Sequence, residues 1–265
     1  MAMVAAQGEA ELLTQRVRDH VLLVTINRPN ARNAVSPDVA KGLAAAIRQV
    51  DEDDDIWVAI LTGAGDKAFC AGADLKAVAA GRTAELSTPE NGFAGFVFAD
   101  RKKPWIAAVN GPALGGGCEL MLACDFSVIG DNVTIGLPEV HRSVMAGAGG
   151  MWRLPRAIPR AVAFEMIGLG IPIAAERALA LDLVNRVVPQ DQLIDEALAF
   201  AALVCKGSPV AVRESLRVAR RAWDCTESEL RDITSEARER LIRTQDYAEG
   251  PRAFVEKRPP QWTGR

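Results

Sequence analysis

Histidine is scarce in this sequence, and the cysteines form no pairing motif. Among 265 residues there are two histidines and five cysteines, with no C-x-x-C pair. This composition is typical of reduced thiols in a cytosol and argues against a structural zinc or other metal site. His20 and His141 have no serine, cysteine or metal-ligand partner in the pattern, so we expect structural or surface roles for both. Cys70 and Cys118 flank glycine motifs, and we interpret them as small buried residues rather than nucleophiles.

An excess of positive charge and long apolar runs are also missing. The formal net charge is -3, which makes nucleic acid a poor candidate as a partner. No apolar run approaches the roughly 18 residues of a membrane span, and residues 1–20 lack the basic start and apolar stretch of a signal peptide. We therefore expect a soluble, cytoplasmic protein with no membrane partner. Arginines late in the chain, such as Arg217 and Arg220, are expected to form solvated helix faces, with an anionic ligand on one such face as the alternative.

Short β-branched runs alternate with helical patterns in the first part of the chain. Ser36 and Pro37 have the preferences of a helix start, and a helix is predicted from there to Val50. The segment CELMLACDF at 118–126 predicts a second helix. Strands are predicted over residues 21–26, 57–61, 105–109, 126–129 and 133–135. This alternation favours an α/β fold with a largely parallel sheet.

Two later regions depart from this alternation. Residues 79–100 contain three glycines and a proline, which predicts an irregular, flexible excursion. From about Gly149 onward the periodicity is helical, and helices are predicted over residues 161–167, 174–180, 193–204, 209–223 and 228–241. These late helices favour a capping or oligomerising region.

One glycine pattern matches a dinucleotide-binding fingerprint without its context. Residues 63–68, GAGDKA, fit G-x-G-x-x-G/A after a predicted strand. The fingerprint requires a helix that opens at its last position, whereas FCAGAD at 69–74 follows with another glycine. We therefore do not predict nucleotide binding here.

The segment GPALGGGCELMLACD at 111–125 places a single carboxylate, Glu119, in an apolar run. Burial of an unpaired ionised carboxylate costs several kcal/mol or more. Residues 115–117 are glycines before a helix, where unpaired backbone N–H groups can bind an oxyanion close to Glu119. Alternatively, the glycines only permit tight packing and Glu119 is a salt-bridged core residue. These residues alone leave the choice even.

A second carboxylate, Glu139, follows the predicted strand at 133–135 in a weakly polar stretch. Residues 146–150, AGAGG, form another glycine cluster ahead of a helix and allow the backbone to approach a ligand or another element. Two carboxylates that face one cavity can divide acid and base work, because each raises the pKa of the other.

Taken together, these motifs resemble the enoyl-CoA hydratase (crotonase) family. The resemblance covers nearly the whole chain and rests on NRPNARNA at 27–34, AFCAGADLK at 68–76, KPWIAAVNGPALGGGCELMLACD at 103–125, IGLPEV at 135–140, AGAGGMWRL at 146–154 and EGPRAFVEKR at 249–258. It implies an α/β fold with a crotonase-type ββα spiral catalytic core at residues 1–200. It also implies a C-terminal helical trimerisation region at residues 201–265, in a homotrimer or a hexamer of two trimers.

The resemblance also implies a reaction, namely hydration of a trans-2-enoyl-CoA to a 3-hydroxyacyl-CoA. The oxyanion-hole donors fall on the N–H groups of Ala73 and Gly116, and the two catalytic glutamates fall on Glu119 and Glu139. Coenzyme A is then part of the substrate, and no separate cofactor is expected. The family's contacts to the CoA thioester fall on Ala71, Asp74, Leu75, Lys76, Phe254 and Lys257, the last two often across a subunit boundary.

The chain departs from its relatives after the second glutamate. Hydratases of the family often read L-G-x-x-P-G-A-G-G-T-Q-R-L there, whereas this chain has HRSVMA at 141–146 and Met151-Trp152. His141 and Trp152 are candidates to narrow or reorient the acyl site. The main alternative is another reaction on the same enolate, such as double-bond isomerisation. A different class of alternative is a non-catalytic module that binds CoA thioesters or RNA, although the acidic stretch 51–55 counts against RNA.

Overall fold

The computed structural model describes residues 10–265 of the chain. Its strands are β1 Leu12–Arg18, β2 Val21–Ile26, β3 Val58–Gly63, β4 Ser87–Thr88, β5 Gly92–Phe93, β6 Trp105–Val109, β7 Ala113–Leu114, β8 Phe126–Gly130, β9 Thr134–Gly136, β10 Ile173–Ala174 and β11 Arg186–Val188. Its α-helices are α1 Pro37–Glu52, α2 Leu75–Ala79, α3 Gly116–Ala123, α4 Gly150–Ala157, α5 Arg160–Gly168, α6 Ala175–Ala180, α7 Leu193–Val204, α8 Pro209–Ala219, α9 Glu227–Ile242 and α10 Gln245–Glu256.

The main sheet has six strands in the order β1-β2-β3-β6-β8-β11. Only the β1–β2 pair is antiparallel, and the other four pairings are parallel. Every residue of β3 and β6 is buried, as expected for parallel strands covered on both faces. The predicted α/β fold with a largely parallel sheet is confirmed.

A second, smaller sheet contains the strands that precede the two candidate carboxylates, β7 before Glu119 and β9 before Glu139. It has the order β10-β9-β7, in which β7 and β9 are parallel and β9 and β10 are antiparallel. Glycine 115 follows β7 and donates its N–H to the Gly136 carbonyl at the end of β9, at 2.9 Å. The start of α3 and the segment after β9 are therefore held side by side.

The predicted helices and strands are largely in place, with shifted ends. Ser36 accepts a hydrogen bond from the Val39 N–H and caps α1, as the sequence predicts. Helix α3 begins at Gly116, two residues before the predicted start, and ends at Ala123 because Cys124 is extended. Helix α8 ends at Ala219 rather than at 223. The sequence pattern gives no bounds for α4, and it does not predict α2, α10 or the strands β1, β4, β5, β7, β10 and β11.

Residues 79–100 are less irregular than predicted. They contain a short 3-10 helix, Thr83–Leu86, and the β4–β5 hairpin. Phe96 is fully buried and packs edge-on against the Trp105 ring, with centroids 5.0 Å apart. Aromatic burial of this kind anchors the segment to the core beside α3.

The C-terminal helices carry two buried carboxylates with structural partners. In α10, Asp246 accepts hydrogen bonds from the N–H groups of Thr263 and Gly264, at 2.7 and 3.0 Å. Glu249 pairs with Arg258 and Arg252, and these hydrogen bonds hold its pKa well below the usual range. The last residues are thereby folded back onto α10.

The predicted boundary between residues 1–200 and 201–265 falls within α7, a helix that packs on the main sheet. This helix spans the proposed boundary, and its Leu193, Ala197 and Ala201 are buried against Val58 and Ile106 of the main sheet. The division stays a prediction. Across residues 10–265, no helix is long and apolar enough to cross a membrane.

Candidate active site

Glu119 lies near the start of α3 and is buried, with 3% of its surface exposed. Its Oε1 accepts a hydrogen bond from the Gly150 N–H at 2.9 Å. No salt bridge formed within residues 10–265 includes this carboxylate. Burial raises its pKa to about 7, with a further contribution from the charge of Glu139, although the Gly150 hydrogen bond opposes the shift. The alternative of a salt-bridged core residue is therefore wrong.

Glu139 lies in the 3-10 helix Pro138–Arg142, directly after β9. Burial raises its pKa as well. Its Oε2 is buried and has no hydrogen-bond partner in the part of the chain that the structure describes. A Cβ placed on Gly115 would lie 3.3 Å from Oε1, so this carboxylate faces the glycine turn that begins α3. A buried acceptor without a partner is a position at which a ligand or water can donate.

The backbone amides of Ala73 and Gly116 are close to one another. A Cβ placed on Gly72 would lie 3.0 Å from the Gly116 nitrogen, and Gly72 has φ of +87°. Two hydrogen bonds fix the segment on either side of Ala73, from Val35 N–H to the Gly72 carbonyl at 2.8 Å and from Asp74 N–H to the Val35 carbonyl at 3.0 Å. Among residues 10–265, neither the Ala73 nor the Gly116 N–H donates to a protein group. These two unpaired donors therefore lie on neighbouring segments, and the Gly116 N–H is at the positive end of the α3 dipole.

The glycines before Glu119 also serve close packing. A Cβ placed on Gly117 would overlap the carbonyl oxygen of Cys70, so only glycine allows α3 to approach the 70–74 loop. The thiols of Cys70 and Cys118 are fully buried, and burial raises the pKa of Cys70 to about 12. A protonated, buried thiol agrees with the prediction that neither cysteine is a nucleophile.

The predicted CoA-contacting residues fall into two groups. Ala71, Leu75 and Lys76 are exposed beside the Ala73 amide. The Asp74 side chain instead caps α2, accepting from the Lys76 N–H at 2.9 Å, and pairs with Arg28 at 2.8 Å. Although burial opposes the change, these contacts lower the pKa of Asp74.

The second group, Phe254 and Lys257, lies at the end of α10. Phe254 is 84% exposed, and Lys257 ends the helix in the left-handed region with φ of 54°. No hydrogen bond or salt bridge within the described residues connects either one to the 71–76 loop. Their contact with CoA stays a prediction.

Neither histidine takes part in the carboxylate site. His20 stacks on Trp57 with ring centroids 3.5 Å apart, and its Nδ1 lies 2.9 Å from the Asp55 carbonyl oxygen. His141 packs against Gly170, where a Cβ would lie 2.6 Å from its Nε2. Within residues 10–265, no group of three or more His, Cys, Asp or Glu side chains is arranged to hold a metal.

The dinucleotide fingerprint also fails in the structure. Ala68, its last position, lies in a loop, and the next helix begins only at Leu75. No helix N-terminus is therefore presented to a pyrophosphate at that position.

An arginine-rich cavity, which the sequence did not predict, lies beyond the last turn of α3. It has a volume of about 820 Å³, and its arginines are Arg101, Arg153, Arg156, Arg217, Arg220 and Arg221. Arg220 is not a solvated helix residue as predicted, because it pairs with the buried Asp125 at 2.7 Å. These residues come from separate segments of the chain, so no local pattern points to them.

Comparisons with known proteins agree with this arrangement of residues. The chain matches the family model described as Enoyl-CoA hydratase/isomerase over residues 16–265. A carnitinyl-CoA dehydratase of Salmonella paratyphi A is 38% identical over 250 residues, which cover 92% of this chain and 95% of the relative. An enoyl-CoA hydratase structure from Mycobacterium tuberculosis has a TM-score of 0.92 and 40% identity, covering 97% of this chain and 100% of that one. A carnitinyl-CoA hydratase structure from Mycobacterium avium has a TM-score of 0.77 and 44% identity, with coverage of 97% and 100%.

Proposed function

Because the chain belongs to the enoyl-CoA hydratase/isomerase (crotonase) family, we propose that it adds water to trans-2-enoyl-CoA to give 3-hydroxyacyl-CoA. The family match and the names of the relatives support an acyl-CoA hydratase or dehydratase. One observation carries the finer proposal. Two carboxylates with raised pKa values, the buried Glu119 and the partly buried Glu139, lie beside two unpaired backbone donors.

The backbone donors bind the reacting carbonyl. The N–H groups of Ala73 and Gly116 donate to the thioester oxygen, which gains negative charge as the substrate becomes an enolate. The positive end of α3 adds to this stabilisation. Removal of one such donor typically raises the barrier by about 3 kcal/mol.

The carboxylates handle the water and the protons. Glu119 accepts a proton from the water as its oxygen bonds to C3, and the electrons of the C2–C3 double bond move to the thioester oxygen. Glu139 then donates a proton to C2, and the carbonyl re-forms. The pair begins with one proton on Glu139 and ends with one on Glu119, so exchange with solvent resets it. A pKa of about 7 for Glu119 suits a group that gains and loses a proton near neutral pH.

Further features of the proposal rest on the resemblance. Ala71, Asp74, Leu75 and Lys76 border the CoA thioester, and CoA enters as part of the substrate without another cofactor. Phe254 and Lys257 reach CoA from a neighbouring subunit of a homotrimer or hexamer. We place the protein in the cytoplasm with no nucleic-acid or membrane partner.

A second candidate is the dehydration of carnitinyl-CoA, the same chemistry in reverse on a cationic acyl group. The names of the Salmonella and Mycobacterium avium relatives favour it. A quaternary ammonium group needs an aromatic or anionic surface. We rank this candidate second because it requires one particular acyl group, whereas hydration of an enoyl-CoA needs only the two carboxylates and the two backbone donors.

A screen of purified protein tests the proposal. Enoyl-CoA substrates of graded chain length, together with carnitinyl-CoA, are followed for water addition, dehydration and double-bond migration. We expect hydration of at least one enoyl-CoA. Double-bond migration without water addition would instead favour an isomerase. If no thioester reacts but one binds, the chain is a binding module.

A further inference from the structure

We infer that Arg153 is a positioning residue for Glu119: its guanidinium braces the loop that binds this carboxylate and places a positive charge on that side of the carboxylate pair. The inference rests on the proposed function, because it assigns Arg153 to the base of the hydration. Arg153 belongs to the motif AGAGGMWRL at 146–154, but the resemblance assigned it no role.

The geometry links Arg153 to Glu119 through the backbone of residues 148–150. The Gly150 N–H donates to Glu119 Oε1 at 2.9 Å. One turn further along α4, Arg153 Nη1 donates to the Ala148 carbonyl at 3.2 Å, and its Nη2 donates to the Val97 carbonyl at 2.6 Å. The guanidinium therefore fastens the glycine loop to the segment that precedes the main-sheet strand β6.

Gly149 makes the loop and the arginine dependent on each other. It has φ of +119°, a conformation that favours glycine. A Cβ placed there would overlap Arg153 Nη1 and lie 2.9 Å from Cζ. The guanidinium thus occupies the space that a side chain at position 149 would need.

The charge of Arg153 has no ordinary partner. Within the described residues, no carboxylate lies within 4.0 Å of it, whereas Arg156 on the same helix pairs with Asp224 at 2.9 Å. Burial lowers the pKa of Arg153, and the buried Arg101 nearby lowers it further, while the charge of Glu119 opposes both effects. A partly buried cation beside another cation lowers stability unless an anion offsets its charge. The charge of Glu119 acts in this way on Arg153.

The groups around Glu119 act on its proton in opposite directions. Glu139 from the 3-10 helix and Cys118 on α3 are acidic groups, and Arg153 on α4 is the cation. Burial raises the pKa of Glu119 most, Glu139 raises it further, and Arg153 lowers it. Arg153 therefore acts together with the N–H groups of Gly150 and Ala148 and favours the ionised form of Glu119, which is the form that acts as the base.

The test compares R153Q, which removes the charge, with R153K, which keeps it, and uses R156Q as the matched control. In R153Q we expect kcat/KM for hydration below neutral pH to fall about two- to fivefold, which corresponds to a rise of less than one unit in the pKa of Glu119. The loss should shrink as the pH rises, because Glu119 then ionises without help. R153K should keep the wild-type pH profile at a lower rate, and R156Q should match the wild type.

A second readout needs no activity. The Glu119 carboxyl is titrated by carbon-13 NMR in folded wild type, R153Q and R153K, and its midpoint should rise in R153Q only. An unmoved midpoint in folded R153Q overturns the inference, and so does a midpoint that moves equally in R153K. If R153Q does not fold, R153K alone decides: a wild-type midpoint supports the charge role and a raised one overturns it. A midpoint that rises in a protein that hydrates no thioester would leave this inference standing and remove the proposed function.

Discussion

The two ends of helix α3 differ in whether their polar groups have charged partners. At the first turn, Glu119 and the Gly116 N–H have no charged partner within bonding distance. At the last turn, Arg101 donates to the Ala123 carbonyl, and Asp125 beyond it pairs with Arg220. Cations at a helix C-terminus donate hydrogen bonds to its free carbonyls and interact favourably with the negative end of its dipole. The paired charges at the last turn fix the position of this helix, whereas the groups without a charged partner at its first turn are available for chemistry.

The largest effects are expected at the first turn. E119Q and E139Q should each reduce kcat/KM for enoyl-CoA hydration at least about 100-fold, the scale of general acid–base catalysis. Steady-state kinetics on the best substrate of the screen measures this. E165Q, an exposed glutamate on α5, is the control and should leave the rate unchanged. Near wild-type turnover in either glutamine variant would contradict the two-carboxylate mechanism.

The last turn should respond in stability instead. D125A leaves Arg220 without its carboxylate, and since Arg220 is 28% exposed we expect a loss of about 2–3 kcal/mol in the free energy of unfolding. Denaturant titration measures this loss. D224A, which breaks the exposed pair with Arg156, should change stability by less than about 0.5 kcal/mol. Equal losses in the two variants would contradict the stabilising role of the Asp125–Arg220 pair at the last turn of α3.

Glu119 should also cost stability in a pH-dependent way. Its pKa rises from an ordinary 4.5 to about 7 on folding, so the folded state holds the proton more tightly. Stability therefore falls as pH rises between these two values and then levels off. E119Q should be more stable than wild type by about 1–2 kcal/mol above neutral pH, with the difference vanishing below the lower value. Denaturant titrations over this range measure it, and a constant difference at all pH values would contradict the role of burial.

The smallest effect is expected at the 71–76 loop. D74A removes the α2 cap and the Arg28 pair, and should lower the free energy of unfolding by about 1 kcal/mol. We also expect a higher KM for the CoA thioester with little change in kcat, because the loop borders CoA rather than the reacting carbon. E85A, from an exposed pair with Arg82, is the matched control. A large loss of kcat would instead place Asp74 in the chemistry.

Local sequence pattern was enough to predict the parallel sheet and to single out Glu119, although it did not decide the role of this carboxylate. The buried runs of β3 and β6 are continuous in sequence, and a lone carboxylate in an apolar run is visible without a structure. Sequence pattern did not give the bounds of α4, because the helix begins within a glycine cluster and Pro155 lies inside it. Arg153 was missed for a related reason, since its partners Val97 and Ala148 are backbone carbonyls that carry no sequence signal.

The contact between Gly117 and Cys70 has a consequence for the tolerance of the chain to variation. In a library that varies every position, codons for any residue larger than glycine at 117 should be depleted, because even a methyl group would overlap the Cys70 carbonyl. Gly168 has no atom within 4 Å of where its Cβ would lie and should accept many residues. The selective pressure at 117 would come from a distance between two backbone segments, and it would persist in a variant whose glutamates no longer function.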